Sequence, residues 1–232
     1  MSQEPELEGY EWGDDIPIVV LNDSSSEAIL KVTEERINSE GWDQKPQVCI
    51  VSMNDGIGAV EQIPLPEECY EDFVNGFHAF AIALATIIWA DRNADEYPPW
   101  VESLKNDVLG PSFHAVLISV EGWTVKEPDA EKEPEKWAEY AAAAMSHGFH
   151  KHEERIEVRH TFMVSAKREL NWVMRLRDQE PQSGAGKDFP LGGRLVHITE
   201  GFVASMIALL LHRGLINQEV LNAWREGEET NE

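Results

Sequence analysis

The chain has 232 residues, a hydrophobic fraction of 42% and eight tryptophans, which is apolar material for one good-sized domain and excludes wholesale disorder. Its formal net charge of −24 disfavours nucleic acid and anionic membrane as direct partners. Cys49 and Cys69 show neither disulfide nor metal-ligand spacing, no signal peptide opens the chain, and the longest apolar run, 77–90, is too short to span a bilayer; a cytoplasmic protein with reduced thiols is expected.

Residues 1–15 are acidic and read as a disordered arm, in which Tyr10 and Trp12 are able to dock on a surface. A domain over 16–226 follows, and 227–232 form an acidic tail. Within the domain, 16–21 is a short strand interrupted by Pro17. Ser24 and Glu27 have capping-box spacing for a helix to about Asn38, ended by Gly41. Residues 46–53 and 59–65 flank Asn54-Asp55-Gly56 and predict a hairpin. Pro66, Glu67 and Glu68 predict the start of a helix running to about Asp91, apolar on nearly all sides and therefore internal. A shorter helix is expected after Pro98-Pro99.

The stretch 113–125 is the organising element. Its unbroken apolar run, closed off in front by Gly110-Pro111, reads as a central strand covered on both faces, broken only by Glu121. An acidic loop and a helix from Pro134 to Gly148 come next. Residues 155–165 and 170–177 alternate, which predicts two half-buried antiparallel strands. Ile156, Val158, His160, Phe162 and Val164 face inward, with Leu170, Trp172, Met174 and Leu176 on the partner strand. That parity allows opposed positions to sum to 336 or 334, and either register brings two arginines together on the outer face. Residues 183–193 read as a flexible Gly-rich connector, 194–213 as an apolar helix, and 217–224 as the second arm of a C-terminal αα-hairpin. The fold class is α+β: a mainly antiparallel sheet with hairpins, covered by the helices near 70–91 and 194–213.

Two residue groups offer chemistry. His147, His150, His152 and Glu153, with Glu154 and His160 nearby, have donor types suited to zinc; the competing reading is a solvated turn whose histidines complement a helix C-terminus. Glu121 and His160 lie in core strands and would form a carboxylate–imidazole acid/base pair, or a structural tether, if those strands are neighbours. Arg155, Arg159, Arg175 and Arg177 are the outer-face cations, either covered by an acidic segment such as 126–139 or open to an anionic ligand or acidic partner. The Ser183–Lys187 stretch fails as a phosphate loop, because Pro181 and Asp188 occupy positions that need Gly and Ser/Thr. The 213–217 turn fails as a helix-turn-helix for want of basic residues.

Gly41-Trp42-Asp43-Gln44-Lys45-Pro46, followed by an apolar strand, and Val120-Glu121-Gly122-Trp123, followed by an acidic loop, resemble stretches of uncharacterised proteins of actinobacteria and their phages. The resemblance implies a source and a fold rather than an activity. With no cofactor motif in the chain, the expected function is a non-enzymatic acidic protein that binds a protein partner as adaptor or inhibitor. The alternative is a metal-dependent hydrolase built on the 147–160 cluster.

Overall fold

Seven strands lie antiparallel in one sheet among the residues described in a computed structural model of the chain, which are 18–21, 26–54, 57–63, 65–90, 113–125, 128–145, 149–186 and 193–212. In chain order the elements are β1 (Ile18–Leu21), α1 (Ser26–Ser39), β2 (Gln47–Asn54), β3 (Ile57–Gln62), α2 (Phe73–Ala90), β4 (Phe113–Thr124), α3 (Pro134–Met145), β5 (Ile156–Ser165), β6 (Leu170–Leu176), β7 (Gln182–Ala185) and α4 (Gly193–His212). The spatial order β1-β3-β2-β4-β5-β6-β7 puts β4 in the middle, so the most apolar strand has strands on both sides. The class is α+β, as the hairpin-rich sequence predicts.

Both faces of the sheet are covered because two parities of residue are apolar along β2, β4 and β5. On one face Val48, Ile50, Val116, Ile118, Phe162 and Val164 pack against α2 and α4, where Phe77, Phe80 and Phe202 meet at ring-centroid distances of 5.4–6.5 Å. On the other, Cys49, Val51, Val60, Ala115, Leu117, Met163 and Val173 pack against Ile29 and Leu30 of α1. Each fully buried aliphatic side chain of this kind stabilises the fold by roughly 1.5–3 kcal/mol. α1 ends where expected: Gly41 has a φ of +98°, in the left-handed region that a Cβ penalises.

The paired strands 156–165 and 170–176 form as predicted, in the register whose positions sum to 334; Arg159 stands opposite Arg175 and Val158 opposite Leu176. Their burial differs from the expectation of a half-exposed hairpin. The supposed outer face of β5 carries Arg159, Thr161 and Met163, all fully buried, because α1 lies over it. Two boundaries also differ. Glu67–Tyr70 form a 3-10 turn, and α2 begins only at Phe73, where the Asp72 carboxylate caps it by accepting the Asn75 N–H at 3.3 Å. Residues 182–185 form the strand β7 on β6, where the sequence predicts a flexible connector from 183 onward. Gly184 pairs with Trp172, and a Cβ there would fall 2.4 Å from the indole ring, so the close approach requires glycine.

The acidic arm and tail, the Ser24 cap, the helix after Pro98-Pro99 and the second arm of the C-terminal hairpin lie outside the described residues. Among the described residues no helix is long and apolar enough to cross a membrane.

Candidate functional site

Two stretches far apart in sequence meet at Glu121. Its carboxylate Oε2 accepts the backbone N–H groups of Asp43 and Gln44 at 2.7 and 3.2 Å, and its Oε1 accepts Arg159 Nε and Nη2 at 3.0 and 2.6 Å. Arg159 also donates to the Gly41 carbonyl and lies 4.7 Å from the Trp42 ring. The Gly41–Gln44 loop is thus bound to the exit of β4 by one carboxylate and one guanidinium. Next to it, Glu34 of α1 takes Arg175 in a two-pronged pair, both contacts 2.6 Å, and approaches Arg159 at 3.8 Å. That pairing holds the Arg175 guanidinium above its ordinary value. Two arginines opposed in the sheet are tolerated because two carboxylates lie between and beside them.

The outer-face cations therefore divide. Arg159 and Arg175 are interior or nearly so, and their negative company is Glu34 and Glu121 rather than the 126–139 segment. Arg155 and Arg177 remain at the surface, Arg155 stacked 5.0 Å from the Trp123 ring and Arg177 paired with Glu157. Glu34 was legible as a signal: it shares the 30–33–37 stripe of α1 with Leu30, Thr33 and Ile37, and a carboxylate on a buried stripe calls for a cation.

Glu121 and His160 do not form a pair. β4 and β5 are neighbours, but Glu121 is opposite Arg159 and His160 is opposite Val120, so the two side chains leave the sheet on opposite faces. His160 is buried on the α2–α4 side, where desolvation lowers its pKa to about 4 and keeps it neutral. The other acid/base group is fully engaged: the Glu121 carboxylate accepts four hydrogen bonds.

His152, Glu153 and Glu154 line a cleft of about 400 Å³ with Lys136, Lys151, Glu139 and Tyr140. His152 Nδ1 accepts the Glu154 N–H at 3.1 Å, and lysine ammonium groups share the space with the carboxylates. Among the described residues no three His, Cys, Asp or Glu side chains gather as a metal-binding group; His150 sits on an exposed 3-10 turn, and His147 lies outside the described residues.

Reasoning from the sequence misses the outward surface of the helix layer. α2 has no charged residue in 18 positions, and its solvent side carries His78, Ala79, Ile82, Ala83 and Thr86. Ile82 is 52% exposed. With Ala81, Ala85, Ile198, Gly201 and Ser205 it lines a groove of about 620 Å³ between α2 and α4, whose other lining residues are His78, Arg194 and His197. The hydroxyl groups here are used internally: Thr86 donates to the Ile82 carbonyl at 2.8 Å and Ser205 to the Gly201 carbonyl at 2.9 Å. Most of what the groove presents to a visitor is apolar, with His78, Arg194 and His197 as its polar side chains.

Comparison with protein-family models, with curated proteins and with solved structures gives no match to this chain.

Proposed function

We propose that the chain is a non-enzymatic interaction protein, an adaptor or inhibitor, and that the α2–α4 surface is where a protein docks. One observation carries the reading: a charge-free helix turns Ile82 and a small-residue groove toward solvent in a chain of net charge −24. Exposed contiguous apolar surface of this kind marks association sites, and helix-lined grooves are a recurrent mode of it. Burying one isoleucine side chain fully stabilises a complex by roughly 1.5–3 kcal/mol before the costs of association. The acidic remainder of the surface keeps the protein soluble and steers it from anionic polymers. The resemblance of the Gly41–Pro46 and Val120–Trp123 stretches makes a phage-encoded protein acting in the host cytoplasm the natural setting.

Metal-assisted hydrolysis through the 147–160 cluster has less support, since His152 and Glu153 share their cleft with two lysines and His150 does not line it.

The test is affinity capture from the native host with two baits, wild type and Ile82→Glu. The reading expects recovered protein, untagged copies of the chain included, to fall at least about tenfold with the variant, a loss of about 1.4 kcal/mol or more. Recovery unchanged by Ile82→Glu would contradict it.

A further inference from the structure

We infer that Ser26 is a reactive serine, activated by His114, that accepts an acyl group from an activated ester or thioester. The site lies on the α1 side of the sheet and does not depend on the docking surface. It begins with an irregularity in the central strand. Val51 of β2 is opposite Ala115 and Ser52 is opposite Phe113, so His114 is an extra residue on β4, a β-bulge. Phe113 and Ala115 are two apart, yet the first packs in the α2–α4 core and the second in the α1 core. The Ala166 N–H fixes the bulge by donating to the His114 carbonyl at 2.7 Å. Bulges re-aim side chains, and this one brings the imidazole to the first residue of α1. The Ser26 hydroxyl donates to His114 Nε2 at 3.3 Å, across 88 positions of sequence.

The pair has the chemistry of a nucleophile and its base. Both residues are half-buried, which leaves the hydroxyl within reach of a small reagent. Burial lowers the His114 pKa below the ordinary 6.5, with Glu169 opposing the shift and Lys167 adding to it. The ring is therefore neutral at pH 7, and Nε2 can take a proton. Ser26 Oγ attacks the acyl carbonyl carbon while His114 Nε2 takes the hydroxyl proton. The bond from that carbon to the leaving oxygen or sulfur then breaks, and His114 returns the proton to the leaving group. The product is an O-acyl serine, formed without oxidant, reductant or further reactant. Ser26 opens α1, so the oxyanion of the intermediate develops at the positive end of a helix.

Treatment of the full chain with p-nitrophenyl acetate, with the acetylated residues read by peptide mass spectrometry, tests this. Ser39 is the internal control, an exposed serine of the same helix whose hydroxyl donates to the Arg36 carbonyl at 2.6 Å. Ser26 should be acetylated at least about a hundredfold faster than Ser39, the low end of what a general base contributes. His114→Gln puts an amide near the Nε2 position, so it keeps a hydrogen-bond partner for Ser26 and removes the base. It should bring Ser26 down to the Ser39 rate with an unchanged far-UV spectrum. Should that variant not fold, the wild-type pH profile decides. A rate assisted by His114 levels off above a midpoint below 6.5, whereas an unassisted hydroxyl keeps gaining about tenfold per pH unit. Ser26 acetylated no faster than Ser39 would overturn the assignment and leave a hydrogen bond that only pins α1 to the bulge. So would a rate untouched by His114→Gln in folded protein, or one still climbing tenfold per unit at about pH 8.

Discussion

The carboxylate of Glu121 and the guanidinium of Arg159 stand directly opposite across the two central strands and join at 2.6 Å, and between them they hold the Gly41–Gln44 loop. Arg159 has no solvent exposure at all, so its charge is stable only while its partners remain. Arg159→Met should destabilise the protein by about 3–5 kcal/mol, because Glu121 loses its counter-charge and Glu34 one of two neighbours. Combining it with Glu121→Gln, which keeps an acceptor for the Asp43 and Gln44 amides, should cost less than the two single losses added. Chemical denaturation of the three variants measures this; strict additivity would mean the pair is not coupled.

His160 gives acid sensitivity of known sign. Burial lowers its imidazole to about 4 in the folded chain, against the ordinary 6.5 that it regains when unfolding releases it to water. Between those values the unfolded chain binds the proton and the folded chain does not. Stability present above pH 6.5 is therefore lost as the pH falls toward 4, by up to roughly 3 kcal/mol. His160→Leu should flatten that part of the stability profile relative to wild type. Parallel profiles for the two proteins would show that His160 does not couple to folding.

Gly184 ties the edge strand to the sheet. Its replacement by valine drives a branched side chain into the Trp172 indole, where overpacking costs about 1–3 kcal/mol. The effect should be local: amide exchange across 182–185 should accelerate, while β4 and β5 keep their protection. Uniform acceleration through the sheet would mean that β7 folds as one unit with the core.

The sequence made the sheet legible where physical periodicity is strict. Even-numbered residues from Ile156 to Val164 and from Leu170 to Leu176 set the parity of the hairpin, and the register that sums to 334 was one of two it allowed. The unbroken run at 115–118 marked the central strand. The second core was harder to read. Arg159 and Thr161 look like a solvated face until α1 is laid over them; Thr161 is paired there with the Ser119 hydroxyl, and the Arg159 charge is met by carboxylates from Glu34 and Glu121, distant in the chain. β7 was hidden for another reason: Gln-Ser-Gly-Ala has no β-branched or aromatic residue, and it is a strand because Trp172 leaves room for Gly184. The candidate docking surface was half legible. The absence of charge from α2 is plain in the sequence, but an all-apolar helix reads as wholly buried, and only the packing shows that Ile82 points out.

The most direct test of the docking surface is the reaction rate of the thiol introduced by Ile82→Cys with a small thiol reagent. The native cysteines do not compete, since both are buried and burial pushes Cys49 up to about 12. The thiol should react at an exposed rate in dilute protein and at least about tenfold more slowly as the chain is concentrated or mixed with host extract. A rate equal to that of the thiol introduced by the exposed Lys151→Cys at every concentration, and in extract, would show that nothing covers this surface and would contradict the account.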